Sequence, residues 1–247
     1  MLTGDYSTPE FRRRFADQAR RAAAESDRII TVSEFTATQV HQLLGVERSR
    51  LRVVHHGVGT PPGGTGDSPV KERERIILHV GAIQARKNVA RLIQAFETVP
   101  PDWHLVLAGS AGFGADAILR GIAASPARGR ISIQGYVTAE ALADWYARST
   151  ILAFPSLDEG FGIPILEAMA AGLPVLTSNR SALAEVAGNA ALLMNPESVD
   201  ELAEALGKMI ADEQLRKDLK QRGLARAAEY TWPKAIEKTW KVYQELF

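Results

Sequence analysis

The stretch FPSLDEGFGIPILEAMAAGLPV, residues 154–175, decides the fold class. An apolar run ends at Phe154 and reads as a strand, and the loop that follows carries Gly160 and Gly162. Pro164 suits the first turn of a helix, and Gly172 closes that helix before a new apolar run begins at Val175. Strand, loop, helix and strand in this order predict two neighbouring parallel strands bridged by a helix.

The same alternation extends outward on both sides. Strands are predicted at 76–80, 104–108, 131–134, 151–154 and 175–177, with helices at 89–98, 116–124, 139–148, 164–171 and 183–187. Near the start, Ser7-Thr8-Pro9-Glu10 caps a helix over 9–27, followed by a short strand over 28–32. Ser33-Glu34-Phe35-Thr36 opens another helix that stops at Gly45, and 51–54 reads as a strand running into His55-His56. Four glycines and two prolines among residues 59–67 predict a loop or linker ahead of a new unit. After Asn195-Pro196 the pattern is purely helical, over 198–212, 214–230 and 233–247. The expected fold is α/β, a Rossmann-like parallel sheet with helices on both faces. Ligands of such sheets sit beyond the carboxyl ends of the strands, which directs attention to the loops after Val80, Ala108, Gln134 and Phe154.

Composition narrows the function. In 247 residues, 29 basic side chains balance 29 acidic ones, so no long-range positive field favours nucleic acid or an anionic membrane. Cysteine is absent, which removes disulfides, thiol nucleophiles and thiolate metal sites. No apolar run approaches the ~20 residues of a membrane helix, and the first residues lack a signal-peptide core, so a cytoplasmic protein is expected.

Three loops hold residues suited to chemistry. After Val80, Gly81 allows close backbone approach, and Arg86 and Lys87 precede a helix start, where amides favour anions. Alone, they read equally well as a phosphate clamp or as a solvated basic pair. The loop Gly109-Ser110-Ala111-Gly112-Phe113-Gly114 reverses the spacing of a dinucleotide fingerprint and reads as a tight or mobile turn. In the deciding stretch, Glu159 lies on the loop and Glu167 on the helix, with the amides of Gly162 and Ile163 at the helix start. Packing and the helix dipole account for Glu167 alone, but less well for Glu159, Gly160 and Gly162 together. A glycosidase-like acid–base pair would need the two carboxyl groups to face each other across ~5 to 10 Å. The five histidines show no metal-ligand spacing, and no G-x-S-x-G, Walker or D-x-D sequence is present.

Taken together, the segments resemble a family. Glu159 and Glu167 form an E-x7-E pair in EGFGIPILEAMAAGLPV, which is similar to the signature of retaining glycosyltransferases of family 4, enzymes of the two-domain GT-B fold. Its companions follow in order: DRIITVSEFT, VVHHGV, HVGAIQARKN, LVLAGS, IQGYV, SNRSALAEVAGNAALLMNP and YTWPKAIEKTWKVYQEL. The resemblance covers the chain from about Ser26 onward.

It implies transfer of a hexosyl group, of mannosyl type, from a GDP- or UDP-linked donor to a glycan or lipid-linked acceptor, with retention and without a metal ion. Glu159 would engage the transferred sugar as the catalytic residue and Glu167 the ribose. Arg86 and Lys87 would hold the diphosphate, and Tyr136 and Val137 would flank the base. Gly81, Gly109, Gly160, Phe161, Gly162 and Ile163 would line the donor with backbone. Ala82 replaces an arginine found in many members, at the expense of one phosphate contact, and Ala184 before Glu185 replaces a proline without expected consequence.

The resemblance also divides the chain into residues 1–45 as the end of an acceptor-binding domain, 46–230 as the donor-binding domain, and 231–247 as a helix crossing back onto the first part. On that division most of the acceptor domain is missing, the chain is the donor half of a truncated enzyme, and the missing part would carry any contact with the inner membrane. The alternative is a non-catalytic nucleotide-sugar binding domain acting with a separate partner chain.

Overall fold

A computed structural model describes residues 6–59 and 73–247. Of the loop expected over 59–67, all but Gly59 lies outside the described residues. The chain opens with helix α1 (Pro9–Glu25), strand β1 (Ile29–Thr31), α2 (Glu34–Leu44) and β2 (Leu51–Val53). There follow β3 (Glu74–Val80), α3 (Val89–Phe96), β4 (His104–Ala108), α4 (Ala115–Ala124), β5 (Ile131–Gly135), α5 (Ala139–Arg148) and β6 (Ser149–Phe154). The series closes with α6 (Ile163–Ala170), β7 (Val175–Ser178), α7 (Ser181–Ala187), β8 (Leu192–Met194), α8 (Val199–Ala211), α9 (Glu213–Glu229) and α10 (Trp232–Gln244). The caps read from sequence act as such: Thr8 accepts from the Phe11 amide and Ser33 from the Thr36 amide, while Gly45 ends α2 with φ +69°.

Strands β3 to β8 form one parallel sheet in the order β5-β4-β3-β6-β7-β8. One face buries Ile77, Leu105, Leu107 and Ile151 against α3, α4 and α8. The other buries Leu78, Leu152 and Phe154 against α5, α6 and α7, with Ala227 of α9 beneath them. Coverage on both faces explains why these strands are near-continuous apolar runs. Strand β8 lies between the helix predicted over 183–187 and the helical stretch after Asn195-Pro196, where no element is predicted. Its three residues are too few to show a period, and β7 supplies the hydrogen-bonding edge that makes them a strand.

A smaller unit sits beside this sheet. Strands β1 and β2 pair in parallel, and Ala23, Ala37, Val46 and Leu51 form its core. Residues 46–53, expected with the larger unit, thus pair and pack with the smaller one. Helix α10 returns to it through Val54, Ala235 and Val242, and Glu245 accepts from Arg28 and Arg52 at 2.6–2.9 Å.

Candidate functional site

The strand order reverses between β3 and β6: β4 and β5 build outward from one, β7 and β8 from the other. The carboxyl ends of β3 and β6 therefore frame a crevice at the topological switch point, where open α/β sheets bind ligands.

Two loops meet there. After β3, Gly81 has φ +138°, and the stem of Lys87 lies so close that a Cβ at Gly81 would stand 3.1 Å from Lys87 Cε. A 3-10 turn over Ala85–Lys87 then leads to Asn88, at φ +60°. Asparagine tolerates this left-handed conformation better than most residues. The buried Asn88 side chain donates to the Pro155 carbonyl at 3.1 Å and the Pro196 carbonyl at 2.7 Å, fastening the β3 loop to the loops after β6 and β8. Further bonds run from the Leu157 amide to the Arg86 carbonyl and from Arg86 to the Asp158 carbonyl, at 2.9 and 2.6 Å.

The fastening brings three charges together. Glu159 receives Arg86 at 2.9 Å on one oxygen and Lys87 at 2.6 Å on the other, and the three side chains are only 18%, 10% and 12% exposed for Arg86, Lys87 and Glu159. Burial pushes the Glu159 carboxyl up, but Lys87 and Arg86 outweigh it and hold the group below the usual carboxylate range. Burial lowers the Lys87 ammonium, and Glu159 offsets part of that. The trio carries a net +1 in a nearly dry crevice, a setting that favours an anionic ligand. Beneath it, His79 is fully buried, its Nδ1 bonded to the Ala153 carbonyl at 3.0 Å. Burial lowers its pKa to about 4, so it stays neutral and adds no further cation.

The start of α6 completes the crevice. Gly162 caps it at φ +106°, and the amides of Gly160, Gly162 and Ile163 have no acceptor among the described residues. The Glu159 amide donates to Ser181 Oγ at 3.2 Å, with Ser181 itself at φ +54°. Four residues beyond Ile163 on the same helix face, Glu167 accepts from the phenol of Tyr146 at 2.9 Å.

The remaining expected site residues divide. Tyr136, just beyond β5, is 86% exposed, and Val137 beside it packs partly on the core. Gly109 contributes shape: a Cβ there would stand 2.0 Å from the Gly81 carbonyl oxygen, so the β3 and β4 loops cross at backbone contact. Bonds from Gly81 to Ala108 and from Ile83 to Ser110, both 2.9 Å, secure that crossing, which makes the glycine-rich turn tight. The Phe161 side chain is buried against His56 and Tyr230.

Several participants escape a sequence reading. Ser33 and Thr36 of the smaller unit donate to the Gly160 carbonyl at 2.8 and 3.0 Å, and Tyr146 lies on a helix read only for its apolar face. Asn88 carries a local signal in its left-handed tolerance; the others carry none, because their partners are distant in sequence.

Elsewhere, a cavity of about 720 Å³ opens at the amino ends of the strands. Its Arg73 is spent on the Tyr146, Ser149 and Ala171 carbonyls, Arg75 on Asp102, and Lys217 on Glu213. Among the described residues no group of three or more His, Cys, Asp or Glu is placed to hold a metal ion, and no helix is long and apolar enough to cross a membrane.

The family described as Glycosyl transferases group 1 matches residues 66–226, and Glycosyltransferase Family 4 matches residues 4–60. The chain belongs to the group 1 glycosyltransferases. It is 30% identical over 251 residues to O-antigen chain mannosyltransferase B of Escherichia coli, covering 96% of this chain and 66% of that protein. It is also 30% identical over 223 residues to the serotype-specific mannosyltransferase WbdA of Escherichia coli, covering 84% of this chain and 27% of the relative. The chain thus spans about two thirds of the first relative and about a quarter of the second. Among solved structures, Anabaena HepE in complex with UDP-glucose superposes with a TM-score of 0.83 at 21% identity, over 97% of this chain and 69% of that one. The GT-B likeness read from the E-x7-E stretch therefore holds for the fold.

Proposed function

We propose that this glycosyltransferase chain binds a nucleoside-diphosphate sugar in the crevice between β3 and β6 and serves transfer of its hexosyl group, with retention, to a glycan or lipid-linked acceptor. The observation that carries the reading is the convergence of Arg86 and Lys87 on Glu159 beside the free amides of α6. As the glycosidic bond breaks, the departing diphosphate gains negative charge. Two fixed cations and a helix start stabilise that charge with little reorganisation and without calling on a metal ion. Glu159 would turn to the transferred sugar once phosphate oxygens take its place on Arg86 and Lys87. An acid–base hydrolase is disfavoured, because it gives no role to Arg86 and Lys87, which hold both oxygens of Glu159.

The acceptor side is assigned to the smaller unit, which touches the Glu159–Gly160 loop through Ser33 and Thr36. Helix α10 bridges back to that unit. Mannose is the favoured sugar because both relatives cited at 30% identity are named mannosyltransferases.

Titration calorimetry with GDP and with UDP, in buffer containing EDTA, tests the donor site. Saturable binding of one nucleotide is expected, weakened at least tenfold by Lys87→Ala. A chain that is folded by circular dichroism and binds neither nucleotide overturns the reading.

A further inference from the structure

The cavity of about 720 Å³ lies at the amino ends of the strands, and the seven residues of β3 set it about 20 Å from the crevice. Five cationic side chains line it against two carboxylates. Both carboxylates are engaged, Asp102 by Arg75 and Glu213 by Lys217, in exposed pairs of the kind that contribute little and exchange readily for a ligand. The other three cations, Arg73, Arg216 and Lys220, form no ion pair among the described residues.

Arg73 Nη1 donates to the Tyr146 and Ser149 carbonyls at 2.7 and 2.6 Å, and Nη2 to the Ala171 carbonyl at 2.8 Å. Those neutral acceptors take up three N–H groups but leave the charge uncompensated, with two N–H groups still unused. Burial lowers the guanidinium to about 10, and no carboxylate offsets it. Arg216 Nη1 donates to the Met209 and Ile210 carbonyls at the end of α8, which leaves its Nε and Nη2. Lys220 follows one turn along the same face of α9 and lays its stem on Gly172, where a Cβ would stand 3.1 Å from Lys220 Cε. Its ammonium meets no acceptor among the described residues. Carbonyl caps explain where the two guanidinium groups sit, but they give no reason to add a third like charge beside them. An anion lodged between the three supplies the missing counter-charge.

We propose that this cavity is a second anion site, independent of the donor crevice, that holds a phosphate-bearing ligand of charge −2 or more through Arg73, Arg216 and Lys220. The volume suits a small phosphorylated molecule or a phosphate headgroup.

Calorimetry with inorganic pyrophosphate, in buffer containing EDTA, tests the site on the Lys87→Ala chain, whose crevice has lost one of its two cations. Saturable binding with a Kd of about 1 mM or tighter is expected. Adding Lys220→Glu is expected to weaken it at least tenfold, with an unchanged urea midpoint showing an intact fold, whereas Lys220→Arg keeps the charge and stays within threefold. Lys220→Ala repeats the loss should the glutamate disturb α9. Co-sedimentation with phosphatidylcholine vesicles, with and without phosphatidic acid, separates the two sources. Capture by the acidic vesicles that Lys220→Glu abolishes assigns the phosphate to a headgroup, and pyrophosphate binding without capture assigns it to a soluble molecule. A folded Lys87→Ala chain that binds neither pyrophosphate nor vesicles overturns the proposal, as does binding that the Lys220 variants leave unchanged.

Discussion

Glu159 owes its state to two neighbours. With Arg86 and Lys87 on its two oxygens it is the counter-charge that lets a lysine lie 10% exposed under the crevice. Replacing it by glutamine leaves both cations uncompensated, and Glu159→Gln is expected to cost about 1.5–3 kcal/mol in urea denaturation. The pH dependence follows from the lowered carboxyl. Stability from this contact is complete above the ordinary value of 4.5 and is lost as the pH falls through the lower folded value, so wild type and variant should converge in acid. Equal urea midpoints for the two at neutral pH would refute the account. Glu159, Arg86 and Lys87 were legible as candidates because they sit in loops at strand ends, and Glu167 through its E-x7-E spacing from Glu159. Tyr146 was not, because a tyrosine on the buried face of an amphipathic helix reads as core until its hydroxyl is seen on Glu167, 21 residues away.

At the level of elements, the caps and glycine stops placed most helices and strands within a few residues, since each depends on neighbours in sequence. Loop crossings are different. Gly109 resembled part of a weak phosphate motif, yet its importance lies in the backbone of Gly81 against which it rests. Gly109→Ala places a methyl group within the Gly81 carbonyl and must part the β3 and β4 loops. The expected outcome is a loss of about 2 kcal/mol or more in urea denaturation, together with weakened nucleotide binding, because Lys87 lies over Gly81. Wild-type stability in this variant would show that the crossing gives way at no cost. Strand β8 went unread for a related reason, its identity being conferred by the free edge of β7.

Across the whole molecule, the two units are joined by polar contacts at α2 and by the return of α10. Glu185 of α7 accepts from the Glu34 and Phe35 amides at 2.9 and 3.0 Å and pairs with His55 at 3.0 Å, so a residue of the larger unit caps the helix whose Ser33 and Thr36 touch Gly160. Burial raises the Glu185 carboxyl, but the Glu34 amide, His55 and the Phe35 amide bring it below the ordinary carboxylate value. Glu185→Ala is expected to cost about 1 kcal/mol locally and to speed hydrogen exchange along α2 about fivefold at neutral pH. The difference should shrink as the pH falls below the ordinary 4.5 and through the lower folded value of Glu185; unchanged exchange at Glu34 and Phe35 would dismiss Glu185 as the joint. By itself the sequence determined the parallel α/β architecture, most helix boundaries and the loops at strand carboxyl ends where such sheets bind ligands. Periodicity, capping and turn residues are local, and each is satisfied within a few residues of itself. Only the tertiary structure decided which loops touch, which carboxylate faces two cations and which a phenol, and that β2 pairs with β1. Those are contacts between residues tens to more than a hundred positions apart; the reversal of strand order that sets β3 beside β6 brings Lys87 to Glu159, and the packing of helices on the sheet and on the smaller unit brings the others together.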